Sequence, residues 1–385
     1  VWFKTIAGAK NDGLNTVKEL ENGDILISGY SNSTDIGVAN KGNTDAILAR
    51  YDSRGNQKWI VNYGGSNIDY FYSATECKDG SILATGYSSS TNLENSNAGG
   101  YDGIIVKYNK DGEKQWAKNL AGDKTDYIYS IAETRDGGFA VSGYTNSTNL
   151  GFSTVWLSTG FVAKYNKNGN QEWLRGLGGT SQLSYLYYVT QTTNGDIVAV
   201  GQTPSEVLDN AKDKQEAILI KCGDNYVANE NIIGSVMDMN VNFNNDERIW
   251  ETNKTRDGGY ITVGQSSSTN LGFKNKGRYD AIIVKHNSKL EQEWISGFGG
   301  SAADNFISSV ELSDGSFIAV GNSSSKDAGF NAGSTNTSIM VKYDKNGAQL
   351  WAKGLNSSTA ESLTSVIEAR DGGVVVVGST NLKNN

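Results

Sequence analysis

The sequence predicts an all-β fold, a seven-bladed β-propeller of four-stranded antiparallel blades, and three observations carry that prediction. A Gly-centred turn recurs about every 57 residues, at Gly23, Gly80, Gly137, Gly195, Gly258, Gly315 and Gly372, and a period above about 40 residues built from short strands and Gly-rich turns is the signature of a propeller blade. A Trp recurs with it, at positions 2, 59, 116, 173, 294 and 351. The composition has 46 Gly but 1 Pro in 385 residues, which suits many tight turns and long ladders in which every backbone N–H is needed. The repeat spans the whole chain, so residues 1–385 read as a single domain.

One unit, Asp102 to Tyr144, shows how each strand is specified. Tyr127 to Thr134 and Gly138 to Thr145 are β-rich runs on either side of Arg135-Asp136-Gly137, and they read as strands one and two of a hairpin. Tyr101 to Asn109 and Glu113 to Leu120 flank Lys110-Asp111-Gly112 and read as strands three and four. Tyr127, Tyr129 and Ile131 oppose Ile128, Ser130 and Ala132, so both faces of strand one want cover, as stacked blades provide. The Trp falls four residues after the second hairpin Gly, in Gly55/Trp59, Gly112/Trp116, Gly169/Trp173 and Gly347/Trp351, and reads as an inter-blade packing residue with an N–H to satisfy. Blade four breaks the pattern. After Lys221 the run offers Ile232 or Ile233 near the Trp position and places Trp250 elsewhere, so this blade is expected to be irregular.

Third strands number six, starting at Asp45, Asp102, Gly160, Glu216, Asp280 and Ser338, one fewer than the second strands. The last blade is therefore expected to take strands one and two from the C-terminus and to be completed by the N-terminal strand, Val1 to Ile6, with a slot where strand three belongs. Such a slot exposes edges that invite strand donation, from flanking sequence or from another chain. The chain opens at Val1 inside a repeat and reads as a portion of something longer.

The runs GGSNIDYFYSATECKDGSILATGYSSSTNL, GDKTDYIYSIAETRDGGFAVSGYTNSTNL and YDAIIVKHN resemble the bacterial β-propeller repeats called SBBP, found in secreted and surface proteins. The Gly-x-x-x-Trp hairpin is also similar to the tryptophan-docking motif of PQQ-like propellers. The resemblance covers the whole chain and implies an extracellular or cell-surface location; it does not imply bound PQQ or any other cofactor.

Charge and residue inventory narrow the chemistry. The net charge of −8 has no block of like charge, which argues against nucleic acid or an anionic membrane as partner, and no apolar run is long enough to span a bilayer. Cys77 and Cys222 lie about two blades apart and are expected to be free thiols. His286 is the single histidine and aligns with Tyr51, Tyr108, Tyr165 and Tyr343, as does Cys222, so both read as packing substitutes. Triad chemistry and histidine metal sites then have no residues to use. No Asp-x-Asp-x-Asp-Gly loop is present for calcium, and the arginine triad and Asp box of propeller glycosidases are not found.

Two sets of aligned positions remain. Glu19, Glu76, Glu133, Glu311 and Glu368 lie four residues before the turn Gly, with Gln191 and Lys254 in the other blades. They read either as hydrogen-bonding residues facing a neighbouring blade or solvent, or as a ring around a cation or water cluster. After the second-strand Gly stand Tyr30, Tyr87, Tyr144, Gln202, Gln265, Asn322 and Ser379, able to hydrogen-bond and in three cases to stack. They lie on the face that carries the long Ser/Thr/Asn loops, whose Leu93, Leu150 and Leu271 read as plugs beneath them. Trp156, unmatched in any other blade, joins them as a candidate for contacting a sugar ring or a protein. The expected function is a non-catalytic binding or adhesion module of a bacterial surface protein, recognising a glycan or a surface protein through this face. The alternatives are a polysaccharide-active enzyme and a structural spacer without a ligand.

Overall fold

A computed structural model describes residues 2–94, 97–151, 158–177, 183–192, 194–204, 215–222, 235–238, 246–329, 337–355 and 361–380. The protein is an all-β propeller in which six sheets have four strands and a seventh has two. Blades one to six span 12–63, 69–120, 126–177, 185–238, 247–298 and 304–355, and the two-stranded sheet pairs Glu361–Glu368 with Val374–Thr380. In each blade the strands lie in chain order, one-two-three-four.

Two sequence expectations are corrected here. There are six complete blades rather than seven, and no N-terminal strand completes the last sheet: residues 2–11 form no strand. A strand exists only where a neighbouring edge takes up its backbone hydrogen bonds, and among the described residues no third strand of this sheet offers one to residues 2–11. What survives at the N-terminus is the side-chain contact of a fourth strand. Trp2 lies on Gly55 of blade one and donates from Nε1 to the Ser53 carbonyl at 3.2 Å.

Two compact units divide the chain, Val1–Ala199 with Cys222–Gly234, and Val200–Lys221 with Ser235–Asn385. In the first unit, the cores lie between successive sheets: Leu26, Leu48, Phe71, Ile82, Ile104 and Tyr108 form one, and Leu83, Ile128, Phe139, Phe161 and Tyr165 the next. In the second, Ile261, Ile283, Phe306, Phe317, Ile339 and Tyr343 do the same. The second and third strands of blade two, with blade one on one face and blade three on the other, are buried along almost their whole length, which is why the sequence shows apolar runs rather than alternation there. Among the described residues no helix is long and apolar enough to cross a membrane.

The repeated glycines and tryptophans work together. Gly112 and Gly169 have φ of 84° and 76°, and the indoles of Trp59 and Trp116, from the preceding blade, lie against them. A Cβ at either glycine would be 3.0 to 3.1 Å from indole carbon, so the turn needs Gly for its φ and for the dock. Trp59 and Trp294 each donate from Nε1 to a hairpin carbonyl of the next blade, Lys110 and Lys345, at 3.2 Å. The described part of blade four's fourth strand is Ser235–Asp238, and the residues on either side of it lie outside the described residues, as does the run in which irregularity is expected. Ile232 and Ile233 lie outside the described residues.

Candidate functional site: a tyrosine arc

The candidate site is built from the first and second strands of the unit Val1–Ala199. Residues two apart on a strand share a face, so Tyr70 and Tyr72, Tyr127 and Tyr129, and Tyr185 and Tyr187 each present two rings on one side of a first strand. Tyr30, Tyr87 and Tyr144 stand at the ends of second strands, paired in register opposite Gly13, Tyr70 and Tyr127. The consequence is one continuous row of rings. From Tyr30 to Tyr70 the centroid distance is 4.1 Å, to Tyr87 5.0 Å, to Tyr127 4.4 Å, to Tyr144 5.0 Å and to Tyr185 4.8 Å. Tyr72, Tyr129 and Tyr187 form a second tier, at 5.1 and 5.4 Å, and Tyr101 closes on Tyr87 at 5.2 Å. These separations are those of stacked and edge-on aromatic pairs.

Tyr87 is 8% exposed, whereas Tyr30, Tyr70, Tyr101, Tyr127, Tyr144 and Tyr185 are half-buried, so the row has a supported base and an open side. Burial, with the neighbouring phenols Tyr101 and Tyr70, pushes Tyr127 up to about 12. Burial raises Tyr70, Tyr72, Tyr87, Tyr129 and Tyr144 as well. Each of these phenols therefore keeps its proton at neutral pH and offers an O–H donor beside an apolar ring.

In each unit the long loops after the second strands are held by a recurring clasp. Asp69, at the head of the first strand of blade two, accepts hydrogen bonds from Gly65 N at 2.9 Å, from Ser90 Oγ at 2.8 Å and from Ser88 Oγ. Asp126 holds Gly122 N, Ser147 and Thr145 in the same way, and in the other unit Asp304 holds Gly300 N, Ser325 and Ser323. This accounts for the repeated Ser/Thr-x-Ser at the start of each long loop. Leu271 is buried, and Leu93 and Leu150 pack on the blade cores, as plugs beneath those loops.

A second aspartate stands near each clasp. Asp45 heads the third strand beside Asp69, and a Cβ on Gly64 would meet Asp45 Oδ1 at 2.5 Å and Asp69 Oδ2 at 3.0 Å. Burial raises Asp45, and burial with the Asp126 carboxylate raises Asp102 to about 6 against the Ala98 amide, which lowers it. These carboxyls are 0 to 1% exposed, sealed from any substrate. Among the described residues no three His, Cys, Asp or Glu side chains gather to hold a metal ion.

Four of the five aligned glutamates go to packing. Glu76 Oε2 accepts from Glu21 N at 2.8 Å, Glu133 Oε1 from Lys78 N at 2.9 Å, Glu311 Oε2 from Arg256 N at 2.7 Å, and Glu368 Oε1 from Ser313 N at 2.8 Å. Each ties its first strand to the first hairpin of the preceding blade. Gln191 does the same for Arg135 N at 2.8 Å, so the bond does not need a charge. Cys77 and Cys222 are free and buried, and burial lifts both thiols to about 11. His286 is fully buried in the position taken elsewhere by tyrosine.

The sequence-predicted site residues divide accordingly. Tyr30, Tyr87 and Tyr144 are brought together in the arc. Gln202, Gln265 and Asn322 belong to the other unit, where Gln202 is buried and Asn322 Nδ2 donates to Ser362 Oγ at 3.2 Å. Trp156 lies outside the described residues. The first-strand tyrosines were missed as site residues because their alternation reads equally well as blade packing; the signal was their clustering in consecutive repeats.

No protein-family model matches the chain, and no curated protein matches it. Among solved structures it is similar to a catalytically inactive virginiamycin B lyase from Staphylococcus aureus with Quinupristin, at 12% identity and a TM-score of 0.51 over 97% of each chain. It is also similar to the Pan2 WD40 domain of Neurospora crassa, at 8% identity and a TM-score of 0.48 over 94% of this chain and 85% of that one. A third is a protein of unknown function from Bacteroides caccae, at 14% identity and a TM-score of 0.42 over 77% and 88%. The first likeness supports the propeller fold and, at its identity, nothing finer.

Proposed function

We propose that this protein is a non-catalytic binding module of an extracellular bacterial surface protein, and that the tyrosine arc is its contact surface for a glycan. The observation that carries this reading is the arc itself: ten tyrosines in mutual contact, six of them in an unbroken row across four consecutive blades. Packing one blade on the next does not require it, since blade six has Asn305, Ile307 and Asn322 at the corresponding positions. Phenol rings offer a rigid apolar platform with a hydroxyl at its rim, which matches the apolar face and hydroxyl edge of a pyranose and loses little side-chain entropy on binding.

A non-catalytic role is supported by where the acidic groups go. The described aspartates of the clasps are buried and the glutamates hold neighbouring hairpins, leaving none paired across the arc. The competing reading is a polysaccharide-active enzyme, which would need carboxylates converging on one blade-to-blade cleft; the likeness to a virginiamycin B lyase, at 12% identity, carries fold alone.

A glycan array probed with the isolated chain tests the proposal. Retention of a defined set of glycans by the wild type, and its loss in Tyr127→Ala, is the expected result. Retention of none, or equal retention by Tyr127→Ala, would overturn it, and release of shortened saccharides would favour the enzyme.

A further inference from the structure

We propose that the cleft between blades one and two, lined by Tyr63, Glu94 and Lys114, is a binding site for a single neutral sugar ring. Three departures from the repeat meet there. Tyr63 ends the fourth strand of blade one, whereas the fourth strands of blades two, three, five and six end in Leu120, Leu177, Phe298 and Leu355. Lys114 opens the fourth strand of blade two, where the others open with Gln57, Gln171, Gln292 and Gln349. Glu94 stands in the loop after the second strand of blade two, where the loops of blades one, three, five and six have Gly37, Gly151, Gly272 and Gly329, all with positive φ.

The fold closes these three on one cavity of about 240 Å³, whose wall also includes Lys41, Leu93 and the Gly64-Gly65 link. Lys114 Nζ pairs with Glu94 Oε1 at 2.6 Å and lies 5.6 Å from the centroid of the Tyr63 ring. The junction of blades five and six keeps the repeated part of this wall, with Lys276 for Lys41 and Gly299-Gly300 for the link, but has Phe298, Gly329 and Gln349 at the three positions. Packing one blade on the next is complete without the trio.

Stability does not account for it either. The Lys114 and Glu94 side chains are 40% and 48% exposed, and an ion pair so open to water contributes little. Tyr63 is buried, and its hydroxyl has no hydrogen-bond partner among the described residues, where a leucine would leave no polar group unmet. Burial, with the Glu94 and Asp69 carboxylates, raises Tyr63, so the phenol keeps its proton.

The chemistry of the wall defines the occupant. A carboxylate acceptor stands directly beside an ammonium donor, a second ammonium comes from Lys41, and Leu93 and the Tyr63 ring add apolar surface. Neighbouring hydroxyls of a sugar both donate and accept, which a Glu–Lys pair answers group for group. Glu94 and the adjacent clasped Asp69 offset Lys41 and Lys114, leaving no excess of charge to select an ion. The volume is below the roughly 300–1,000 Å³ of pockets for drug-sized ligands, which limits the occupant to one ring. This extends the glycan reading to a second place on the unit and does not depend on the arc.

Saturation-transfer NMR and titration of the full chain with the methyl glycosides of glucose, galactose, mannose and N-acetylglucosamine, and with glucuronate, test it. The expected result is transfer to at least one neutral glycoside, with a Kd at least tenfold weaker in Glu94→Gly and in Lys114→Gln, which install the residues of the other repeats. Unfolding curves check that both variants are folded. With the arc interrupted by Tyr127→Ala, the same transfer remains. Transfer to no neutral glycoside, to glucuronate alone, or equally to Glu94→Gly would overturn the proposal. So would transfer lost in Tyr127→Ala and kept in Glu94→Gly, which would assign it to the arc.

Discussion

At φ 69°, Leu290 sits where Gly55, Gly112, Gly169 and Gly347 sit in other blades, and among the described residues it is the sole non-glycine with positive φ. Its occurrence follows from a second exception. The glycines receive an indole from the preceding blade, and the repeat preceding Leu290 has no Trp at the docking position. Leu290 is 6% exposed, its side chain buried where the others need room. The left-handed conformation costs about 1–2 kcal/mol, and burying a leucine contributes about 1.5–3 kcal/mol. Leu290→Gly is therefore expected to destabilise by about 1 kcal/mol in denaturant unfolding, although it relieves the backbone; a gain in stability would mean that the strain outweighs the packing.

Asp102 gives a pH-dependent test at the same scale. Its folded pKa, about 6, lies above its ordinary value of 3.8 because the group is buried beside Asp126. A raised folded pKa gives stability that is complete below the unfolded value and is lost as pH rises through about 6. Asp102→Asn is expected to raise the melting temperature at pH 8 and to change it little at pH 4. An equal shift at both would show that Asp102 is not strained by its charge.

Between elements, blades are held by side chains that reach one blade over. If the Glu133 bond to Lys78 N acts as a neutral clamp, as Gln191 indicates, Glu133→Gln keeps the stability and Glu133→Ala loses about 1 kcal/mol. A large loss in the Gln variant would restore the cation-ring alternative. Trp116 docks on Gly169 and stacks with Phe139 at 6.2 Å, so Trp116→Ala is expected to cost about 3–5 kcal/mol, checked by denaturant unfolding; an unchanged midpoint would remove its packing role. At this scale the sequence was highly legible. Turn glycines and apolar runs placed the second strand of blade three at 138–145 against an observed Phe139–Thr145, because φ > 0 turns leave a local mark. The fate of residues 1–6 was not legible, since pairing depends on a partner edge that no local pattern reports.

Over the molecule as a whole, repetition separates scaffold from site. Features present in nearly every repeat, the Asp clasp, the glutamate clamp and the Trp dock, carry packing. The tyrosines are concentrated in consecutive repeats of one unit, and that departure from repetition is what marks them. The sequence showed Tyr30, Tyr87 and Tyr144 as aligned polar aromatics, but their union with Tyr70, Tyr127 and Tyr185 required strands from adjacent blades to be placed side by side.

Calorimetric titration of an array-selected glycan into the wild type and into a Tyr127→Ala, Tyr144→Ala double variant tests the arc most directly, with unfolding curves confirming that both are folded. The account predicts at least a tenfold rise in Kd, about 1.4 kcal/mol, in the variant. An unchanged Kd would contradict it.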